Sequence, residues 1–330
     1  MTANGGLPPS NTTIDQRRVN EDYWRSVAVN DRLGISNAAD LWAWLQAGDF
    51  EDLADRPLAA GSDLYFRGQS DIAYGLTSSL YRQFREAKPV GTITEHMLGT
   101  AETALIKEMR DQGLGRRMTD FQLITVLQHH LMPTRLIDVS RSPLESLYFA
   151  VENHHGTDGV LFLINPRGAD GVEFADSALP WEHFKSTEHY GDSGWTNKVT
   201  VAEHDALDPR MTAQNGTFLV GGLLRSYSGM AMYNSHGDIP TPRRADVTTL
   251  AVRFLKRRQR EYGTEWGAAG WVIRIDHSWK RDLLAKLGSE KISADTMYPA
   301  YTETARLAKY IVTAEATALT AVTRGDRTDT

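Results

Sequence analysis

QHHLMPTRLIDVSRSPLESLYFA, residues 128–150, is the stretch from which the fold is read. It holds the end of one helix at His129, a strand carrying Asp138, and the start of a new helix. The β-branched and aliphatic residues between Pro133 and Val139 predict the strand. Ser142 then stands at a cap position, Pro143 at the first helical position, and Glu145 three residues after the serine. Leu144, Leu147, Tyr148 and Val151 recur at i, i+3, i+4 and i+7, which predicts one buried helical face. A second stretch, LYFRGQS at 64–70, predicts a short strand from Leu64 to Phe66 that ends in Arg67 and Gly68 before a turn. Polar groups delivered by strand ends and a helix start into one place are a common way of building a site.

Working outward, SNAADLWAWLQAG (36–48) predicts a helix capped by Ser or Asn and stopped by Gly48. TITEHMLGTAETALIKEMRDQG (92–113) predicts a long helix, and TDFQLITVLQHH (119–130) another, with Thr119 as its cap. GVLFLINP (159–166), TFLVGG from residue 217 and WVIRID (271–276) read as strands, with a helix between the last two at 245–263. The 167–209 stretch, rich in Gly, Asp and His, predicts an irregular surface insertion, a candidate flap. The mixture argues an α+β fold: a single domain over 33–312 with a small central mixed or antiparallel sheet flanked by helices. Residues 1–32 and 313–330 are expected to be flexible.

The composition excludes several classes. A formal net charge of -6 supplies no global basic field for nucleic acid or anionic membrane. With Cys at 0, disulfides, thiolate nucleophiles and Cys-ligated zinc are out. No apolar run approaches the ~20 residues of a membrane helix. The N-terminal stretch lacks the apolar core of a signal peptide, so a cytoplasmic protein is the expectation. His154 with His155, and His204 with Asp205 and Asp208, lack metal-ligand spacing, so no metal is expected. Lys256, Arg257, Arg258 and Arg260 read as a solvated helix end, and nucleic acid is not favoured.

Among candidate residues, Arg67 carries a planar fork suited to phosphate or carboxylate, while Gly68 permits close approach of backbone or ligand. The alternative is a structural arginine paired with Asp71 or Asp138. Helix phase puts His130 on the apolar stripe of Leu123, Val126 and Leu127, and His129 on a polar edge with Gln122 and Thr125. Asp138 and Ser140 precede a helix N-terminus, whose free N–H groups and dipole attract anions. Asp138 also suits a turn anchor, or a partner for Arg135. Gln214, at a strand start, suits a hydroxyl or base edge, or simply an edge cap.

Together these residues resemble the FRG domain family. Phe66, Arg67 and Gly68 match its aromatic-Arg-Gly motif. Gln128, His129, Pro133, Thr134, Arg135, Leu136 and Asp138 match its second signature, followed by the SPLESLYFA helix. The chain departs at His130 and Leu131, where the family has an aromatic residue and Gly, and at Val139, where it has Trp. Looser echoes at 210–220 and 292–311 extend the likeness over roughly 60–312. The order of parts is more distantly similar to ADP-ribosyltransferases. That resemblance implies NAD as substrate, with Arg67 holding its pyrophosphate or nicotinamide ribose and the 140–145 helix start adding N–H donors. It makes Asp138 and His129 the acid–base and electrostatic pair. Tyr65, Gly68, Gln69, Arg135, Ser140 and Gln214 are then the ligand-binding residues. The later Glu usual in that superfamily is replaced here by Gln214, Asn215 and Gly216. The likeness implies group transfer to an unnamed macromolecular acceptor in a toxin-like or phage-defence setting. The alternative is a non-catalytic module that senses a nucleotide, a dinucleotide or a nucleic-acid end.

Overall fold

The computed structural model describes residues 15–54, 58–61, 63–87, 93–130, 132–167, 179, 197–202, 214–223, 244–257 and 266–298. Helices α1 (Gln16–Val27) and α2 (Ala38–Ala47) precede strand β1 (Tyr65–Gln69). Helices α3 (Ser79–Ala87), α4 (Glu95–Asp111) and α5 (Asp120–His129) follow, then β2 (Ile137–Ser140), α6 (Pro143–Val151) and β3 (Gly159–Pro166). Strands β4 (Val199–Ala202) and β5 (Gly216–Gly221), the single turn α7 (Arg244–Val247), β6 (Val252–Phe254) and β7 (Ala268–Ile275) come next. A 3-10 turn at His277–Trp279 leads into α8 (Lys280–Ser289), and α9 (Ala294–Met297) closes the described chain.

The strands form one mixed sheet in the order β4-β5-β2-β1-β3-β7-β6, antiparallel throughout except for the parallel β6–β7 pair. Strict alternation along the strands sorts their side chains to two faces. On β3, Leu161 and Leu163 join the core under α2, α6 and α8, while Val160, Phe162 and Ile164 join the opposite core with Trp24 of α1. The α2/α6/α8 face does not continue across the whole sheet. Beyond β1 its place is taken by a separate core in which Phe218 and Val220 of β5 meet Phe121, Ile124 and Leu127 of α5.

Local chemistry explains most of the elements. Asn37 caps α2 by accepting from the N–H groups of Ala39 and Asp40, and Gly48 ends it at φ 63°. Thr119 and Gln122 form a reciprocal capping box at α5, each side chain taking the other's backbone N–H at 3.1 and 3.0 Å. Because α5 carries Gln128 into the site described below, its cap is worth testing. Thr119→Ala is expected to lower unfolding free energy by about 1 kcal/mol, read by urea titration, with Thr119→Asp restoring it.

Four expectations are corrected. The 1–32 segment contains α1, capped by Asp15 and seated through Trp24, which is fully buried and donates its indole N–H to the Tyr74 carbonyl at 3.0 Å. Strand β1 runs through Arg67 and Gly68 to Gln69, because β3 offers a ladder partner at all five positions. The 245–263 helix gives way to α7 and β6, since Val252 and Phe254 pair with β7 and tertiary pairing outweighs local propensity. The 167–209 insertion contains β4, an edge strand paired to β5; of its other residues, only Arg167, Leu179, Asn197 and Lys198 are among those described. The two terminal segments 1–14 and 299–330, including the 313–330 tail, lie outside the described residues.

Candidate functional site

The sheet has a discontinuity at its centre. Strands β1 and β2 share one ladder position, Phe66 opposite Ser140. From there β1 continues on β3 alone and β2 continues on β5 alone. This is also where the core on the α6 side divides into two clusters. A cleft of about 730 Å³ opens at the split, bordered by residues 66–70 of β1 and the following turn, 138–140 of β2 and 216–218 of β5.

Arg67 bridges the split. Its guanidinium donates to the backbone carbonyl of Asp138 at 2.6 Å, standing in for a ladder bond, and lies 3.7 Å from the Asp138 carboxylate. Its Nε–H is buried without a partner among the described residues. Burial pulls the guanidinium below its ordinary pKa, against the pull of Asp138. Arg82 of α3 borders the same cleft and donates to the Thr77 carbonyl. Burial lowers its pKa too, and the nearby charge of Arg67 lowers it further. Two cations, Arg67 half-buried and Arg82 more exposed, therefore border one cleft. The carboxylate nearest to them, Asp138, is 61 % exposed and hence well screened.

Asp138 is held from its other side. Gln128 Nε2 donates to its Oδ2 at 2.9 Å, while the Thr134 hydroxyl donates to Gln128 Oε1 at 2.6 Å. Gln128 and Thr134, both in the second sequence signature, thus orient the acid and not the ligand. Ser140 borders the cleft and donates its hydroxyl to the Gln214 carbonyl at 2.9 Å. Gln214 also borders the cleft, but its amide donates to the Met297 carbonyl at 2.9 Å. Gln69 lies on the wall, its amide donating to the Gly75 carbonyl at 3.3 Å and its Oε1 buried without a partner among the described residues.

Of the expected site residues, Arg67, Gly68, Gln69, Asp138, Ser140 and Gln214 are brought to one cleft. Tyr65 is not; it alternates to the Trp24 side of the sheet and is buried in that core. Arg135 is not either. It is buried with two carboxylates, its Nε 2.8 and 2.9 Å from the Glu102 oxygens and its Nη1 on Glu95. Burial opposes the charge there, but Glu102 and Glu95 more than offset it and hold the guanidinium above its ordinary pKa. Arg135 anchors α4 to the strand approach. The side chain of His129 lies outside the described residues, and His130 is an exposed C-cap and not a core residue, because it stands past the last helical turn.

The first turn of α6 is absent from the wall. The helix instead lies along β1 and presents Ser146, Phe149 and Glu152, spaced i, i+3, i+6. Gly68 makes this possible: a Cβ there would sit 1.8 Å from the Ser146 carbonyl oxygen. The glycine serves the approach of a helix, not of a ligand. Sequence reading missed Arg82, Phe149, Glu152, Tyr298, Arg17 and Tyr74, all of which border the cleft. The Arg17 guanidinium pairs with Asp71 at 2.5 Å and lies over the Tyr74 ring, 5.5 Å from its centroid. Asp71 is therefore taken by Arg17 and not by Arg67.

Lys280 locks two walls together from behind. It is fully buried, and its ammonium donates to the carbonyls of Ser70, His154 and Asn153 at 2.6, 2.9 and 3.1 Å. These carbonyls follow β1 and α6. Burial pulls its pKa from the ordinary 10.5 down to about 8, with Asp71 and Asp158 pulling the other way. Between those two values the unfolded chain holds more protons than the folded one, so this group's contribution to stability rises with pH. Against Lys280→Met, the wild-type advantage in unfolding free energy is expected to widen from about pH 8 to about pH 10. A difference that stays flat across that range would place the lysine outside such linkage.

Residues 62–159 match the family model of the FRG domain, so the chain carries that domain across β1, α3–α6, β2 and the start of β3. The match ends before the two looser echoes at 210–220 and 292–311. No curated protein and no solved structure matches the chain. Among the described residues, no helix is long and apolar enough to cross a membrane.

Proposed function

We propose that the FRG domain and its cleft bind a nucleotide through a diphosphate and transfer a group from it, NAD-dependent ADP-ribosyl transfer being the reaction the cleft suits best. The observation that carries this reading is the pair Arg67 and Arg82, two guanidiniums that border one cleft close enough for the charge of one to act on the other, with a single, well-hydrated acid beside them. Neighbouring cations with little counter-charge create a potential that an anionic ligand neutralises. Guanidinium forks favour phosphate oxygens over a point-charge partner. A volume of about 730 Å³ lies in the range of small-molecule sites, and Tyr74, Phe149 and Tyr298 in its lining give flat faces for rings.

In this reading Arg67 and Arg82 hold the diphosphate. Because Arg67 is tied to the β2 carbonyl, it is already oriented, so little entropy is lost on binding. Asp138, oriented by Gln128, sits against the positive site and stabilises a cationic ribosyl centre as the base departs. Incubating the protein with NAD and following nicotinamide by chromatography tests it: steady release with the wild type is expected. A second reading, binding without turnover, is favoured by one observation, that the Gln214 amide at the third motif is spent on the Met297 carbonyl. Saturable NAD binding with no nicotinamide release would establish that reading in place of the first.

A further inference from the structure

Two carboxylates border the cleft among its described lining residues, and they are placed in opposite ways. Asp138 has Gln128 at 2.9 Å and Arg67 at 3.7 Å and is open to water. A carboxylate neutralised by a cation and hydrated is a weak base. Glu152, at the C-terminal end of α6, is half-buried and has no cation within ion-pairing distance among the described residues. The Tyr298 hydroxyl reaches both its oxygens, at 2.9 and 3.1 Å. That hydroxyl arrives from beyond α9, far along the chain, and brings its ring against Phe149 at 6.1 Å and Tyr148 at 6.4 Å. Phe149 and Tyr298 thus border this end of the cleft, Tyr148 packs behind them, and the Tyr298 phenol fixes the carboxylate's direction. Each carboxylate oxygen keeps lone-pair capacity beyond what one phenol proton can occupy.

We infer that Glu152 is the general base of this cleft, taking the proton of the group that accepts the transferred unit, and that Tyr298 is its positioning residue. The inference rests on the transfer reading above. In the step assigned to it, the bond between ribose C1′ and the nicotinamide ring nitrogen breaks. Its electron pair leaves with nicotinamide, which departs neutral because that nitrogen had carried the positive charge. A lone pair of the acceptor, water or a hydroxyl or amine of a macromolecule, forms the new bond to C1′. The acceptor's proton passes to a Glu152 oxygen and from there to solvent. Nothing is oxidised or reduced. Burial pushes the Glu152 carboxyl above its ordinary pKa, with the Tyr298 and Tyr148 hydroxyls drawing it partly back, which strengthens it as a base near neutral pH. Asp138 keeps the electrostatic role beside the arginines. The cleft thereby separates its two acids by environment, one exposed beside a cation, one half-buried and held by a phenol.

The test uses the full chain with NAD, water serving as acceptor, and measures NAD affinity by calorimetry and hydrolysis by nicotinamide release across pH. Glu152→Gln keeps the side-chain volume and an oxygen for Tyr298. It is expected to hold NAD affinity within about threefold and to slow hydrolysis about 10²-fold or more. The wild-type rate is expected to rise with pH as Glu152 loses its proton, and the glutamine variant to lose that limb. Tyr298→Phe removes a hydrogen bond that favours the carboxylate form, so its limb is expected at higher pH than the wild type's. A Glu152→Gln enzyme that hydrolyses NAD at the wild-type rate would overturn the assignment while leaving the transfer reading standing. A Tyr298→Phe limb that does not move would overturn the positioning role. A wild type that binds NAD and releases no nicotinamide would remove the transfer reading, and the base with it.

Discussion

Gly68→Ala is expected to yield no folded protein, a larger effect than any loss of affinity. A Cβ at this position would lie 1.8 Å from the Ser146 carbonyl oxygen, 2.8 Å from the Ala150 nitrogen and 2.9 Å from the Ser146 carbonyl carbon. All three are helix backbone atoms, so no side-chain rotation relieves the overlap. Relief requires α6 to lift off β1 by more than an ångström. Leu147, Ala150 and Val151 would then withdraw from Phe66, Leu161 and Leu163, all nearly or fully buried in that core. Overpacking a core by single methylenes costs about 1–3 kcal/mol, and this clash is with fixed backbone, so a cost beyond about 4–5 kcal/mol is expected. Domains commonly hold only about 5–15 kcal/mol in reserve. The control is Gly99→Ala, in the middle of α4, where an added Cβ meets nothing within 4 Å. That substitution is expected to raise stability by about 0.5–1 kcal/mol through helix propensity. Circular dichroism of the two purified variants decides the matter, and a wild-type melting curve for Gly68→Ala would show that α6 can slide away freely.

The same position shows how far the amino-acid sequence could be read. The aromatic-Arg-Gly motif is visible in the chain, but the partner of its glycine is a helix whose place against β1 only the fold supplies. Elements specified by adjacent residues were legible. The Thr119 cap, the Gly48 stop and the apolar run of β3 each rest on local chemistry and occur where expected. Elements specified by distant partners were not. Strand β6 lies in a run whose apolar spacing fits a helix, and it is a strand because β7 lies beside it. Helix α1 is so polar that Trp24 and Val19 are its main apolar anchors, and their value appears only once Phe162 and Phe254 stand 4.8 and 4.9 Å from the indole.

The site divides along the same line. Arg67 and Asp138 lie in motifs, Ser140 follows two residues later, and all three border the cleft as the sequence suggests. Arg82, Glu152 and Tyr298 come from three separate elements with no shared pattern, and the split between β1 and β2 is what assembles them. Arg135 shows the opposite error. Its place in a signature implied a ligand, yet the carboxylates it needs were on α4 all along, at Glu95 and Glu102. Those two acids sit seven residues apart, i and i+7 on one face of a long helix, a spacing that reads as ordinary until a buried arginine is placed opposite it.

Arg67→Lys is expected to slow nucleotide-dependent turnover by about 10²–10³-fold while moving the melting temperature by only a few degrees. The ammonium retains the charge, so the long-range attraction for an anion persists, but the planar fork is lost. In the wild type one arm of that fork holds the Asp138 carbonyl at 2.6 Å across the split while the residue borders the cleft. A lysine must choose between the carbonyl and the ligand, and a compact ammonium satisfying the first points its charge away from the second. Losing one preoriented charge-assisted contact typically costs about 2.7–4 kcal/mol in the transition state, or about 10²–10³ in rate. The structural cost is smaller, because a single hydrogen bond at a half-exposed strand margin contributes about 1 kcal/mol net. Arg82→Lys provides the comparison: its guanidinium donates to Thr77 and not across the split, so its loss is expected to weaken binding without the same fall in turnover. Affinity by calorimetry, nicotinamide release and thermal melting, measured on both variants, separate the two arginines. Equal loss of stability and activity in Arg67→Lys would show instead that Arg67 chiefly fastens β1 to β2.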